Sequence, residues 1–475
     1  MNTFSQAVTT RNNSAMTRTT NGMRTPVSTN SAVLDLFGKI GSARKVDLTK
    51  EFAAAFAENE DQAIRVLLWA RDIRGGAGER ETFRKLLQAI ERLNPALANR
   101  LMPKIPLLGR ADDLFSYQDP LNRKSAIEFY AHCLMAGEGL FFKWAPREKS
   151  TKRKIAYELR NALGMSPKDY RKFLSSNTNV VEQQMCAKEW KSINFSHVPS
   201  LASSRYQKAF GRNASEQYAE YIRELQKPQD QRNPKVKINA GAVYPYDVVK
   251  SLKFGNGAVA DAQWEALPNF VGDAKILPLV DVSGSMSIGS GVTGVTCLDI
   301  AIGLGMYLSS KTSSDFKDMF MTFSTQPKIE VLKGSLQNKY KQLSRANWEM
   351  STNLHGAFEE LLRVATKGNV APENMPDTIL ILSDMQFNQC VRHDDTALQM
   401  IRRKYKGAGY KVPNIVFWNL NSKTTGSPVK MDDKGVALVS GFSPAIMAQV
   451  LGADPEEFTP LAMMLRTINN PRYDY

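Results

Sequence analysis

Two aspartates and a few short hydroxyl side chains are the residues of this 475-residue chain whose types and spacing best suit a chemical site. Asp281-Val282-Ser283-Gly284-Ser285-Met286-Ser287 follows directly on the apolar run 275–280, and Asp384 follows the apolar run 378–382 in Ser383-Asp384-Met385. Between them, Ser351-Thr352-Asn353 precedes a helical pattern, a place for a third hydroxyl and for an N-cap. Oxygen donors of this kind suit a hard divalent cation, and no histidine, nucleophile or general base stands near them in the motifs. The set therefore reads as binding chemistry. The plainer alternative is that the hydroxyls only cap turns.

A second group of residues suits polyanion contact. Between 143 and 172 lie ten basic residues against three acidic ones, a net of +7. Lys149, Lys152, Arg153, Lys154, Arg160, Lys168, Arg171 and Lys172 are the main cations, with Lys143 and Arg147 beside them. Phe141, Phe142, Trp144, Tyr157 and Tyr170 are interleaved, and one or two of these are expected to be exposed, the rest core. Cations for phosphates beside rings that stack on bases make a single-strand surface. Upstream, Arg71-Asp72-Ile73-Arg74-Gly75-Gly76-Ala77-Gly78-Glu79-Arg80 joins two apolar helical patterns. It reads either as a glycine-rich helix–helix turn or as a phosphate contact through Arg71, Arg74 and Arg80.

The elements that must position these residues fall into two textures. From about 31 to 265, apolar residues recur at three- and four-residue spacings (Phe52, Phe56, Ala63, Val66, Leu67; Phe83, Leu86, Leu87, Ile90) with almost no strand-like alternation. This predicts successive helices with short connections, a helical-hairpin array of the HEAT or armadillo type or an irregular bundle. From about 272 to 475, short apolar strands alternate with amphipathic helices, which predicts a mostly parallel, doubly wound sheet. Asp281 and Asp384 then stand at the carboxyl ends of buried strands, where open α/β sheets bind ligands. Residues 1–30 are polar, with few large apolar side chains, and read as a flexible arm.

Composition excludes several classes. Hydrophobic residues make up 43% and charged residues 23%, which is ordinary for soluble globular protein and unlike collagen or disordered chains. No apolar run approaches a membrane span, and no signal peptide is visible, so the expectation is a cytoplasmic protein without a membrane partner. Cys133, Cys186, Cys297 and Cys390 are far apart and read as buried small hydrophobes. Residues 1–270 hold 41 basic and 27 acidic side chains, which is +14 of the chain's formal +15. A cationic part beside a neutral one is the electrostatic footprint of a nucleic-acid partner.

Asp-x-Ser-x-Ser, a later threonine before a helix and an aspartate after a buried strand together resemble the metal-ion-dependent adhesion site of von Willebrand factor A domains. The resemblance covers roughly 272–475 and implies a metal shell of Asp281, Ser283, Ser285, Thr352 and Asp384. It implies Mg2+ there, with Mn2+ or Ca2+ as alternatives, and an open position for an acidic ligand. The R-G-G-x-G-E-R string with Trp69, then Trp190, Ile193-Asn194-Phe195, Tyr206-Gln207-Lys208-Ala209-Phe210 and Ile238 to Pro245, resembles the helical TROVE module of Ro ribonucleoproteins and a related R-G-G-x-G-E-R family. Helical module first and A domain second is also the Ro order. That family implies a HEAT-like ring closed by the A domain, holding small structured RNAs outside and single-stranded RNA ends in its hole. The shorter, more compact helical part here departs from many Ro proteins.

The expected function is RNA binding without catalysis. A metal-dependent protein–protein adaptor is the alternative, and a metal-dependent hydrolase a weaker third reading.

Overall fold

The computed structural model describes residues 16–252, 257–323, 326–345, 352–387, 397–423, 426–451 and 457–475. Ser351, Cys390, His393 and residues 1–15 of the expected arm lie outside this set. The chain divides into two compact units, one comprising 1–70, 75–79 and 243–474, the other 71–74, 80–242 and Tyr475.

The first unit opens with two short strands, β1 (Met16–Arg18) and β2 (Arg24–Pro26), paired antiparallel. Its main sheet contains β3 (Ile276–Val280), β4 (Met319–Thr322), β5 (Ile329–Val331), β6 (Thr378–Ser383), β7 (Asn414–Asn419) and β8 (Val436–Ser440). Their order is β5-β4-β3-β6-β7-β8, parallel throughout except for β5 against β4. β3 and β6 are buried at every position, as continuous apolar runs in the middle of a parallel sheet must be. Strand order reverses between them, so the ligand-binding crevice of a doubly wound sheet lies at their carboxyl ends.

Both sheet faces are covered. Leu277, Leu279, Ile379, Ile381 and Phe417 pack with Phe358 and Leu361 of helix Leu354–Lys367 and with Ile401 and Tyr405 of helix Ala397–Gly407. On the opposite face lies helix Cys297–Lys311, apolar almost all round. Its Gly305 stands against Val280 and its Gly303 against Tyr246, where an added Cβ would come within 2.6 Å and 2.7 Å of neighbouring atoms. Helix Ala32–Ile40 is capped by Ser31 and packs on β8. There the Ser440 hydroxyl donates to Phe37 O, and Asn419 Nδ2 donates to Gly38 O.

The second unit is helical, with no strand among its described residues. Helix Glu81–Leu93 packs on Pro95–Arg100, Pro120–Met135 on Arg153–Ala162, and Ser200–Asn213 on Ser215–Leu225. Phe195, Phe210, Tyr218 and Tyr221 form one aromatic cluster within it, and Phe115, Tyr130 and Phe141 another.

Two expectations are corrected. Residues 16–30 are not a free arm. They form the β1–β2 hairpin and the lead-in to the Ser31 helix cap, with Thr19, Thr25 and Thr29 at 6%, 2% and 0% exposure. The helical texture of 31–265 is also not one packing body, since the helices within 32–70 and 245–266 belong to the sheet-containing unit. An amphipathic stripe declares that a face is buried without declaring what buries it.

Candidate metal centre and nucleic-acid interface

The parallel register pairs Val280 with Leu382, which sets Asp281 and Ser383 side by side at the switch point. Asp281 is fully buried. Its Oδ1 accepts from Ser283 N at 2.9 Å and its Oδ2 from the Ser383 hydroxyl at 2.6 Å. Ser283 and Ser285 hydroxyls lie 3.0 Å apart. Asp384 is 2% exposed, and its Oδ1 accepts from Gln386 N at 3.2 Å. Thr352 Oγ1 donates to Gln386 O at 2.8 Å. Among the five, Ser285 is the exposed one, so the cluster opens to solvent on its side.

Burial pushes Asp281 up to about 6, with the nearby Asp384 carboxylate adding to the shift and the serine hydrogen bonds opposing it. Burial likewise raises Asp384. Two carboxylates held together out of water repel each other, and a cation between them would relieve that repulsion. The donor set fits a hard divalent ion: two carboxylates and three hydroxyls, all oxygen. The nearby Cys297 thiol is pushed up to about 12 by burial and then by both aspartates. His355, three residues after Thr352, has its Nδ1 3.4 Å from Glu359. Ser383 was not read from the sequence as part of the site, although it directly precedes Asp384.

The cations of the helical unit fall into two groups. Arg71 is 1% exposed and pairs with Asp113 at 2.7 Å, so it is withdrawn as a phosphate contact. Arg84 also pairs with Asp113 at 2.7 Å, while Arg110 and Lys152 reach Asp112 at 2.8 and 3.0 Å. Burial opposes ionisation of Asp112, but Arg110, Lys152 and Arg84 outweigh it and hold its carboxyl below the usual range. Lys152 is thus a brace as much as a surface charge. Arg160 pairs with Glu148 at 3.1 Å, and Arg80 with Glu81 at 3.0 Å. Glu79 is buried against Arg44 at 3.3 Å, which makes the glycine-rich segment largely structural.

The other group is exposed. Lys149, Arg153, Lys154, Lys168, Arg171 and Lys172 have no ion pair among the described residues, and Arg74 is exposed as well. Arg153 and Lys154 open helix Arg153–Ala162, whose first turn has no acidic residue. Lys168, Arg171 and Lys172 lie on helix Pro167–Asn177. Tyr157 is 57% exposed with the Arg160 guanidinium 4.9 Å over its ring, and Trp144 is half-buried with Arg110 3.3 Å over its ring. Phe141, Phe142 and Tyr170 are core. Of the cysteines, Cys133 and Cys297 are buried, but Cys186 is exposed, against expectation.

Residues 275–462 match a domain of unknown function, DUF7788, and residues 131–274 match another, DUF2828. The two matches meet close to the change of texture near 270. The uncharacterized protein L728 of Acanthamoeba polyphaga mimivirus is 29% identical over 516 aligned residues, covering 95% of this chain and 86% of that protein. The crystal structure of the Deinococcus radiodurans Ro (RSR) protein is similar over 93% of this chain and 100% of that one, at 14% identity and a TM-score of 0.48. Among the described residues, no helix is long and apolar enough to cross a membrane.

Proposed function

We propose that this chain binds RNA through its helical unit and a divalent cation, with an acidic ligand, at the sheet edge of its α/β unit. The observation that carries the RNA reading is the placement of the unpaired cations. The helical unit holds 31 basic and 17 acidic side chains, a net of +14 of the chain's +15. Arg153 and Lys154 sit at a helix N-terminus, where the helix dipole disfavours cations by about 0.3–1 kcal/mol each. A position that costs stability and is relieved by a bound polyanion is where function is expected to override local preference. Exposed Tyr157, beside these cations, supplies a ring for base stacking. A single-stranded end or a small structured RNA is the fitting partner.

In the α/β unit, Asp281, Ser283, Ser285, Thr352 and Asp384 are the residues that would hold Mg2+, or Mn2+ or Ca2+, in the manner of a von Willebrand factor A domain. The ion supplies an open coordination position for a carboxylate or phosphate oxygen. Three hydroxyl ligands leave its charge under-neutralised, which favours an anionic ligand. Among the described residues of the site no general base stands apart from the two ligand carboxylates, and the role proposed for it is binding. Buried free thiols at Cys133 and Cys297 suit a reducing, cytoplasmic setting.

A salt series with a labelled RNA carrying an unpaired 3′ end tests this reading. Wild type is compared with Arg153→Glu/Lys154→Glu/Lys172→Glu, a set that leaves the Lys152 brace intact. Binding that falls steeply with salt in wild type, with a slope shallower by about 2 in the variant, is expected from three lost single-strand phosphate contacts. Equal, negligible binding by both proteins would remove the RNA reading and leave a metal-dependent protein adaptor.

A further inference from the structure

The hairpin that replaces the expected arm is built onto the loop that carries the second carboxylate of the metal site. The Thr19 hydroxyl donates to Phe387 O at 2.6 Å, Thr20 N to Gln386 Oε1 at 2.8 Å, and Asn21 Nδ2 to Gln386 O at 2.6 Å. That same Gln386 carbonyl accepts the Thr352 hydroxyl, and Gln386 N donates to Asp384. One peptide carbonyl therefore receives both a metal-site hydroxyl and the hairpin's amide. Between Asp384 and Gln386, Met385 has φ of +64°, a left-handed conformation that costs a side-chain-bearing residue free energy and persists only where its surroundings enforce it. Met23 of the hairpin packs in the same buried cluster as Met385 and Phe387.

The hairpin is shaped for this task and anchored elsewhere. Thr19 N donates to Met23 O at 2.9 Å, Met23 N donates to Thr19 Oγ1 at 3.0 Å, and Gly22 takes φ of +90° at the tip. The strands are held from the other side, where Ser427 N donates to Pro26 O at 2.9 Å and the Thr25 hydroxyl donates to Ser427 O. It spans two loops at the carboxyl edge of the sheet, those after β6 and β7.

We propose that the hairpin is a clamp for the metal site: Thr19 and Asn21 are positioning residues that fix the Asp384–Phe387 loop, so hairpin docking and metal binding strengthen each other. This rests on the metal-site reading above. Because such coupling is reciprocal, the factor by which the docked hairpin tightens the metal equals the factor by which the metal tightens the hairpin.

The test uses the full chain and Mn2+. The double variant Thr19→Val/Asn21→Ala is expected to bind Mn2+ about tenfold more weakly than wild type by calorimetric titration, and Thr19→Ser, which keeps the hydroxyl, to bind as wild type does. In wild type, Mn2+ is expected to slow hydrogen exchange of the amides of 16–26, a response a merely structural hairpin would not give. Should the double variant fold poorly, Asn21→Ala alone, a change at an exposed side chain, is expected to weaken Mn2+ about threefold. Unchanged affinity in these variants, together with hairpin exchange indifferent to Mn2+, overturns the clamp while leaving the metal site standing. Wild type that binds no Mn2+ at millimolar concentration overturns both.

Discussion

In the α/β unit the charges that matter are buried, few and acidic, held at the carboxyl ends of two central strands by serine hydroxyls and backbone amides. In the helical unit the ones proposed to act are exposed and basic, and Arg153, Lys154, Lys168, Arg171 and Lys172 stand on helices without an ion pair among the described residues. Buried charges demand a geometry, because each must find a partner or shift its protonation. Exposed charges need only a density, and their partner is selected by potential and screened by salt. The proposed partners, a small ion at one place and a polyanion at the other, follow this difference. The helical unit also has a buried exception, the Asp112–Asp113 pair, which with Arg84 and Arg110 takes Arg71 out of the expected ligand contacts and makes Lys152 part of the scaffold.

That exception gives the largest expected effect. Asp113→Ala leaves the Arg71 guanidinium buried and uncompensated, and denaturant unfolding should show a loss of about 3–5 kcal/mol confined to the helical unit. A loss below 1 kcal/mol would show that Arg71 relaxes to solvent and would return it to the phosphate-contact group. Next comes Arg153→Glu/Lys154→Glu/Lys172→Glu. At near-physiological salt its RNA affinity should drop about a hundredfold with little change in unfolding midpoint, the reverse of the Asp113 pattern.

The pH response separates the units further. Asp281 and Asp247, the latter a half-buried residue in the first turn of helix Pro245–Leu252, are both raised to about 6, chiefly by burial. Such groups hold their protons more tightly folded than unfolded, so stability of the α/β unit falls as pH rises from about 4 to about 6, by on the order of 2–3 kcal/mol for each group, and levels off above. Thermal unfolding in a chelator should trace this fall. Saturating Mg2+ should restore the Asp281 part above pH 6, with a smaller gain at pH 5 where protons compete, whereas Asp247→Asn should remove only the other part. A Mg2+ gain of equal size at both pH values would place the ion elsewhere. The smallest effect is expected of Tyr157→Phe, which keeps the stacking ring and should leave RNA affinity within twofold. Tyr157→Ala should weaken it about tenfold.

Much of the α/β unit was legible because parallel, doubly covered strands are written as apolar runs, and the residue after each run stands at the ligand-binding edge. Asp281 and Asp384 could be placed on that ground alone. The hairpin could not. Its hydrogen bonds run to residues 365 to 402 positions away, and no local pattern of Thr, Asn and Gly distinguishes a docked hairpin from a solvated arm. Arg71 was misread for a related reason. An arginine beside glycines looks the same whether it faces phosphate or a buried carboxylate, and Asp113 lies 42 residues on, in another element. The helix faces at 32–70 were correctly read as buried, but periodicity does not encode the identity of the covering surface.

The helical unit interrupts the α/β unit in sequence, which imposes an order on synthesis. Residues 80–242 form a contiguous stretch that supplies nearly all of the helical unit once Ala242 has emerged. The hairpin, although made earlier, has to wait for the loops at Gln386 and at Ser427–Met431. The roughly 190 residues separating Ala242 from Met431 take about 10–40 s to translate at ordinary rates of 5–20 residues per second. During that interval the helices within 32–70 present their apolar faces without β8 to cover them. The chain thus spends that interval with its helical unit able to fold and its α/β unit open, when early capture by a chaperone would matter most.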